Sequence, residues 1–163
     1  MAETKRAPLY TEYRIIAEHY NMSRISTRPL LYTYSTRYQT HDEAFGFVAN
    51  VLHSAIAVHN NNPADPQFNF IMNENIGELF YTNIDGKTII DARYRILPIE
   101  AFDAVTFDKH PTHYMTYKYR GYEIRENAYN NRFSVIMNNK RHVRHKLDTI
   151  LNFIDECILN TES

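Results

Sequence analysis

Basic and aromatic side chains concentrate in one stretch near the end of this 163-residue chain. Residues 109–146 hold nine Lys/Arg against two Asp/Glu, a net charge of +7, whereas the whole chain has a net charge of −1. Guanidinium and ammonium groups neutralise phosphates, and tyrosine rings can stack on unpaired bases. The combination predicts a site for nucleic acid, DNA or RNA, or for an acidic protein surface. The residues predicted to bind nucleic acid are Lys118, Arg120, Arg125, Arg132, Lys140, Arg141, Arg144, Lys146, Tyr119 and Tyr122.

Histidines in the same stretch could transfer protons. His110 and Thr112 form a His-x-Thr unit followed by His113, and His142 and His145 lie further along the chain. The His-x-Thr unit resembles half of the motif of two-histidine phosphoesterases, in which imidazoles transfer protons and hydroxyls hold phosphate. That motif has two such units and this chain has one. The resemblance implies a histidine-dependent phosphodiesterase or nuclease as one alternative function, but the residues themselves predict no catalytic group.

The chain has a single cysteine, Cys157, which excludes an internal disulfide and a cysteine-based zinc site. One thiol on the apolar face of a predicted helix indicates a small buried residue in a reducing, intracellular compartment. No apolar run approaches the roughly 18 residues of a membrane span, and the N-terminus has no hydrophobic signal core. We therefore expect a soluble cytoplasmic protein without a metal, a cofactor or a membrane partner.

Charge is distributed unevenly between the two parts of the chain. Residues 1–108 hold nine Lys/Arg and 13 Asp/Glu, net −4, and residues 109–163 hold nine and six, net +3. A chain of this kind with no catalytic motif could act by covering a surface of a partner protein. Its many Asn, Tyr and Ile residues resemble the composition of AT-rich genomes, including those of many phages. A protein-binding inhibitor or regulator, for example a phage anti-defence or host-takeover protein, is therefore the other alternative.

Strand and helix patterns alternate in the first part of the chain. Alternating apolar and polar residues predict strands over 10–21 and 30–38. Thr40 and Glu43 form a capping box, and apolar residues then recur at i, i+3, i+4 and i+7, which predicts a helix over 42–58.

The middle of the chain is predicted to be antiparallel sheet. It contains a strand over 67–72 and a hairpin over 78–96 around Asp85-Gly86, a dipeptide that tolerates the positive φ of a tight turn. A short helix is predicted over 97–107, followed by a loop or linker over 109–114.

Residues 117–159 read as a compact module of three strands and one helix. The strands are predicted over 117–127, 132–138 and 140–147, with turns at Asn130-Asn131 and Asn138-Asn139 and a final amphipathic helix. One long helix beginning at Asn139 is the alternative. The strand is favoured for 140–147 because four cations in the first two turns of a helix would oppose its dipole.

A three-stranded sheet backed by a helix resembles the DNA-binding modules of plant GCC-box factors and of integrase arm domains. Those modules lay a sheet into the major groove, so the resemblance implies DNA binding by the sheet; no residue role is carried over. A strand, strand, helix order also occurs in 10–58, which leaves open two similar halves, by duplication or by convergence.

The sequence as a whole predicts an α+β protein, mostly antiparallel sheet with two principal amphipathic helices. Two parts are expected, an α+β part over 1–108 and the basic module over 109–163. The predicted function is non-catalytic binding of nucleic acid by the basic module.

Overall fold

The structure, a computed structural model, describes residues 7–20, 28–103, 113–127 and 129–162. The chain divides into two compact units: Tyr13–Leu97, called here the N-terminal unit, and Met1–Glu12 with Pro98–Ser163, called the C-terminal unit. Antiparallel strands and two helices make up the described ranges, so the predicted α+β class is confirmed. The predicted boundary near residue 108 lies outside the described residues.

Nine strands and two helices follow one another along the described chain. They are β1 (Tyr10–His19), β2 (Leu30–Thr33), α1 (His41–Asn60), β3 (Phe68–Met72), β4 (Ile76–Thr82), β5 (Thr88–Asp103), β6 (His113–Tyr119), β7 (Tyr122–Asn127), β8 (Phe133–Met137), β9 (Lys140–Arg144) and α2 (Leu147–Glu162). Neither helix is long and apolar enough to cross a membrane, as far as the described residues go.

Helix α1 begins where the capping motif predicts. Thr40 is the N-cap residue, and its hydroxyl accepts a hydrogen bond from the amide of Glu43 at 3.2 Å. That bond satisfies one of the amides that have no partner within the helix. Ala44, Val48 and Leu52 follow at intervals of four residues and are fully buried against the strands of the N-terminal unit. The apolar face of α1 therefore forms the centre of this unit's core.

The strands of the N-terminal unit pair in antiparallel fashion. Residues 16–19 of β1 pair with β2, and β3, β4 and β5 form a meander in which β4 lies in the middle. The predicted hairpin between β4 and β5 is confirmed, and Gly86 takes the positive φ of its turn, +79°. The side chain of Asn83 accepts hydrogen bonds from the amides of Asp85 and Lys87 and so fixes the loop.

A buried carboxylate organises the polar side chains of the N-terminal unit. Glu18 is 4% exposed, and it accepts hydrogen bonds from Nε of Arg95 at 2.7 Å and from the hydroxyl of Tyr20 at 2.9 Å. Arg93 donates to the Tyr20 hydroxyl and to Glu78, which lies directly opposite it on β4. Burial, and then the hydrogen bond to Glu18, raise the pKa of Tyr20. Two guanidinium groups thus compensate the cost of burying one carboxylate.

Two of the element predictions for residues 10–107 are wrong. The segment 97–107 was predicted as a short helix, but β5 continues to Asp103, and Ile96, Ile99 and Ala101 are buried along it. Strand β5 accommodates Pro98, which is exposed, because a strand can accept proline where no amide hydrogen is needed. The second strand ends at Thr33 instead of continuing to residue 38, and beyond it Tyr38 forms a single bridge with Tyr13.

The two strand, strand, helix segments exist as β1, β2, α1 and as β8, β9, α2. Their origin from one duplicated unit stays a prediction.

Replacing Gly77 by alanine should destabilise the protein, because β4 passes close beneath α1 at this residue. A Cβ atom there would lie 2.7 Å from Cδ1 of Leu52 and 3.1 Å from Cγ1 of Val48, and both side chains are fully buried. We expect a loss of about 1–3 kcal/mol in the free energy of unfolding, measured by urea denaturation. Gly46→Ala in α1 is the control, since nothing lies within 4 Å of its added Cβ; a gain of up to about 1 kcal/mol is expected there. Equal effects of the two substitutions would contradict the packing described here.

The alkaline limb of stability should depend on Tyr94. Burial raises the pKa of Tyr94, and the neighbouring Tyr34 raises it further. The folded protein therefore holds this proton more tightly than the unfolded chain, whose tyrosines titrate near pH 10. The resulting stability is complete below about pH 10 and is lost as the pH rises above it. Tyr94→Phe should flatten this alkaline loss in urea denaturation series, whereas Tyr129→Phe, at an exposed position, should leave it unchanged.

Candidate nucleic-acid interface

Two tight turns build the hairpins of the C-terminal unit. Arg120 and Gly121, with φ of 51° and 84°, join β6 to β7, and Asn138 and Asn139, with φ of 53° and 62°, join β8 to β9. Positive φ at both central residues is the signature of the type I′ turn, whose twist suits a two-residue hairpin. The prediction of a turn at Asn138-Asn139 is confirmed. The prediction of one strand over 117–127 is wrong, because Gly121 takes part in a chain reversal and not in a bulge.

The four strands β6 to β9 lie side by side in chain order, next to the second half of β5. Val135 and Met137 of β8 are buried on the face where α2 packs, so Ser134 and Ile136 point to the opposite face. We call this opposite side the outer face. The register of the strands places on it Thr116, Lys118, Glu123, Arg125, Ser134, Ile136, Arg141 and Val143.

Two of the ten predicted residues are part of the packing of α2. Asp155 is a buried helix residue, and its Oδ1 accepts hydrogen bonds from the Tyr119 hydroxyl at 2.7 Å and from Nη1 of Arg120 at 2.9 Å. Tyr119 is 1% exposed, so its ring cannot reach a base in this structure. Arg120 already pairs with a carboxylate. These two residues therefore hold the helix and contribute little to an external site.

Arg144 and His142 also face α2. The Arg144 guanidinium lies 4.6 Å from the centre of the Phe153 ring, and the His142 ring centre lies 4.5 Å from it. A cation over an aromatic face is attracted by the ring, and the ring then shields part of the cation from solvent. Arg144 therefore covers the core of the unit, although its guanidinium still contributes positive charge to this end of the sheet.

Four of the predicted cations remain exposed beside the last hairpin. They are Arg132, Lys140, Arg141 and Lys146, which we call the basic edge. None of them makes an ion pair within the part of the chain that the structure describes. No Asp or Glu occurs between Glu126 and Asp148 in the sequence. The edge hairpin thus carries positive charge without a nearby carboxylate of its own.

Lys118 and Arg125 are the predicted cations of β6 and β7. Lys118 is exposed, and its ammonium group lies 4.9 Å from the centre of the Phe102 ring. Nε of Arg125 donates to Glu123 at 3.3 Å, and both side chains are more than half exposed. An exposed pair of this kind is weak, so a phosphate could displace the carboxylate.

The tyrosines of this unit also differ in how far they are exposed. Tyr122 is half-buried, whereas Tyr129 is 75% exposed in the loop between β7 and β8. The side chain of Asn127 accepts hydrogen bonds from the amides of Tyr129 and Asn130 and so fixes this loop. Tyr129 is one of the tyrosines interleaved with the predicted cations, although it was not among the ten residues predicted to bind nucleic acid. A loop with turn-forming asparagines exposes its central side chains.

The histidines of the alternative enzyme hypothesis are not brought together by any described contact. His110 and Thr112 lie outside the described residues, and of His113 only the backbone is described, at the start of β6. His142 packs on Phe153, and His145 is exposed after β9. Over the described ranges, no group of three His, Cys, Asp or Glu side chains could hold a metal ion.

Comparison with protein-family models, with curated proteins and with solved structures found no match for this chain. The resemblance to GCC-box and integrase arm modules therefore stays a likeness of strand pattern. In the structure the module has four strands in place of three, with the helix on one face only. The side chains that can contact a partner in this unit are those of the outer face and of the basic edge.

Removing the buried carboxylate of Asp155 should destabilise the C-terminal unit strongly. Asp155→Ala removes the carboxylate that accepts from the Arg120 guanidinium, whose side chain is 12% exposed, and from the Tyr119 hydroxyl. We expect a loss of about 3–5 kcal/mol in the free energy of unfolding. The neighbouring exposed Glu156 provides the control, and Glu156→Ala should change stability by less than about 0.5 kcal/mol. Guanidinium denaturation of both variants tests this; similar stabilities would refute the role given to Asp155.

Proposed function

We propose that the protein binds nucleic acid, without catalysing a reaction on it, through the basic edge of the C-terminal unit. The observation that carries the proposal is a run of exposed cations, Arg132, Lys140, Arg141 and Lys146, which make no ion pair with any residue that the structure describes. They lie beside a hairpin that contains no carboxylate. Each such cation can neutralise one phosphate and release its condensed counterions.

The position of the charges suits a strand of phosphates. Phe133 of β8 lies opposite Arg144 of β9, so the chain places Arg132 and Lys146 at one end of the hairpin. Met137 lies opposite Lys140, which places Lys140 and Arg141 at the other end. Five residues of β-strand separate the two ends, about 16 Å at 3.3 Å per residue. That distance spans several nucleotides of an extended backbone, so both ends can contact phosphates of one bound strand.

An edge strand gives these side chains an open approach. Strand β9 is the last strand of the sheet in the C-terminal unit, and it pairs only with β8 among the described strands. Charged residues on an edge also prevent pairing with strands of other molecules. A basic edge can serve both purposes, because the positive charge that repels another basic edge attracts a polyanion. Such a partner would be met in the cytoplasm, the compartment that the single cysteine suggests.

Binding should weaken steeply with salt and should depend on the basic edge. The double variant Lys140→Glu/Arg141→Glu should lower the affinity for labelled DNA and RNA about tenfold or more at low salt. It should also reduce the slope of log affinity against log salt by about 1–2, since each phosphate contact contributes about 0.7–0.9. Arg144 is left unchanged because it covers Phe153.

The control is Lys87→Glu, which reverses an exposed cation in the turn of the N-terminal unit. It should leave the salt slope unchanged. Because all three side chains are exposed, each variant should keep its free energy of unfolding within about 0.5 kcal/mol of the unmodified protein. Nucleic-acid binding that is absent at low salt, or equal in the double variant and the control, would overturn the proposal. An acidic protein surface would then be the partner to seek.

A further inference from the structure

The hydrogen-bond ladder of the sheet in the C-terminal unit opens between its two hairpins. Strands β7 and β8 are paired only at Arg125 with Ser134 and at Glu126 with Phe133. Next to these, the amide of Asn127 donates to the carbonyl of Arg132 at 2.8 Å. Toward the turns at Arg120-Gly121 and Asn138-Asn139, no residue of β7 pairs with a residue of β8. We call this opening the β7–β8 gap.

The peptide groups of Glu123 and Ile136 face this gap. Around a two-residue turn the first residue pair is hydrogen-bonded, and the pairs then alternate. Tyr119 with Tyr122 is the first pair of one hairpin, so the peptide groups of Glu123 point away from β6 toward β8. Met137 with Lys140 is the first pair of the other hairpin, so the peptide groups of Ile136 point away from β9 toward β7. Backbone donors and acceptors are thus offered where the ladder has ended.

A cavity of about 660 Å³ occupies this place. Its walls include Tyr122, Glu123, Arg125, Asn127, Ser134 and Arg141. The volume lies within the range of about 300–1,000 Å³ that is usual for small-ligand sites. Such a lining combines amide and hydroxyl groups, a carboxylate and two guanidinium groups with the exposed Ile136.

We infer that the β7–β8 gap receives one unstacked nucleotide of a single-stranded nucleic acid, an inference that rests on the proposed function. Asn127, Ser134 and the peptide groups of the gap can hydrogen-bond the edge of a base, which a single strand leaves free. Arg125 and Arg141, at the walls of the same cavity, bind the flanking phosphates, and Arg141 continues into the basic edge.

The inference gives the protein a preference for one class of nucleic acid. In a duplex each base is paired and stacked, so entry into the gap would require the base to be flipped out at a cost of a few kcal/mol. A single strand enters without that cost. The basic edge contributes attraction to phosphates in both cases, whereas the gap contributes only for the single strand.

The test compares an oligothymidine strand with a duplex of equal length, both labelled, at one salt concentration. Ser134→Leu fills the gap with an uncharged side chain. It should lower affinity for the single strand about tenfold and leave duplex affinity and the salt slope unchanged. Val143→Leu is the control, because Val143 lies opposite Ser134 on the outer face but outside the cavity lining.

The outcomes separate this inference from the proposed function. A preference for the single strand that is lost in Ser134→Leu and kept in Val143→Leu supports the gap as a nucleotide site. Equal binding of strand and duplex, unchanged by Ser134→Leu, overturns the inference while the basic edge stands; the gap would then suit another ligand, such as an added peptide strand. No binding of either probe overturns both. Circular dichroism and urea denaturation of Ser134→Leu and Val143→Leu check that both variants fold.

Discussion

The C-terminal unit depends on one buried carboxylate. Asp155 sits on the inner face of α2, where a negative charge is tolerated only if hydrogen-bond donors replace the water that it has lost. The donors come from Tyr119 at the end of β6 and from Arg120 in the turn that follows. Because Arg120 has a positive φ, its side chain leaves the turn in a direction that an extended strand would not give it. The carboxylate thus fixes both the helix and the first hairpin.

This interaction sorts the basic residues of the unit by what they can do. Arg120 binds Asp155 inside the fold and Arg144 covers Phe153, whereas the four residues of the basic edge form no ion pair within the described part of the chain. The apolar contacts of Val135, Met137 and the buried face of α2 offset the mutual repulsion of these four cations. Proteins accept local conflicts of this kind mainly at functional sites. The arrangement is therefore more informative than the net charge of the segment.

The sequence patterns predicted the start of α1 and the turns at Asp85-Gly86 and Asn138-Asn139. They did not show which side chains of the last strands face α2. Thr40 caps α1 because capping is a local interaction of a few residues, and the strand at 140–144 follows from the unfavourable dipole of the alternative helix. The reversal at Arg120-Gly121 was missed because arginine rarely adopts positive φ, and only the contact with distant Asp155 shows what stabilises it. Tyr119 was predicted as part of the site because its contact with Asp155 joins residues that are 36 apart in the sequence. Which strand face α2 covers is a tertiary fact, and alternation alone leaves both faces equivalent.

The short ladder between β7 and β8 has a consequence for motion. Hydrogen bonds join these strands at one end only, and at the other end the connection between the two hairpins runs through α2 and Asp155. Strands β8 and β9 and helix α2 are consecutive in the chain and pack on one another, so most of their contacts are local. Segments of this kind can open as one cooperative piece at less cost than global unfolding. The last thirty or so residues would then exchange their amide hydrogens as a group, ahead of the buried strands β1 and β5.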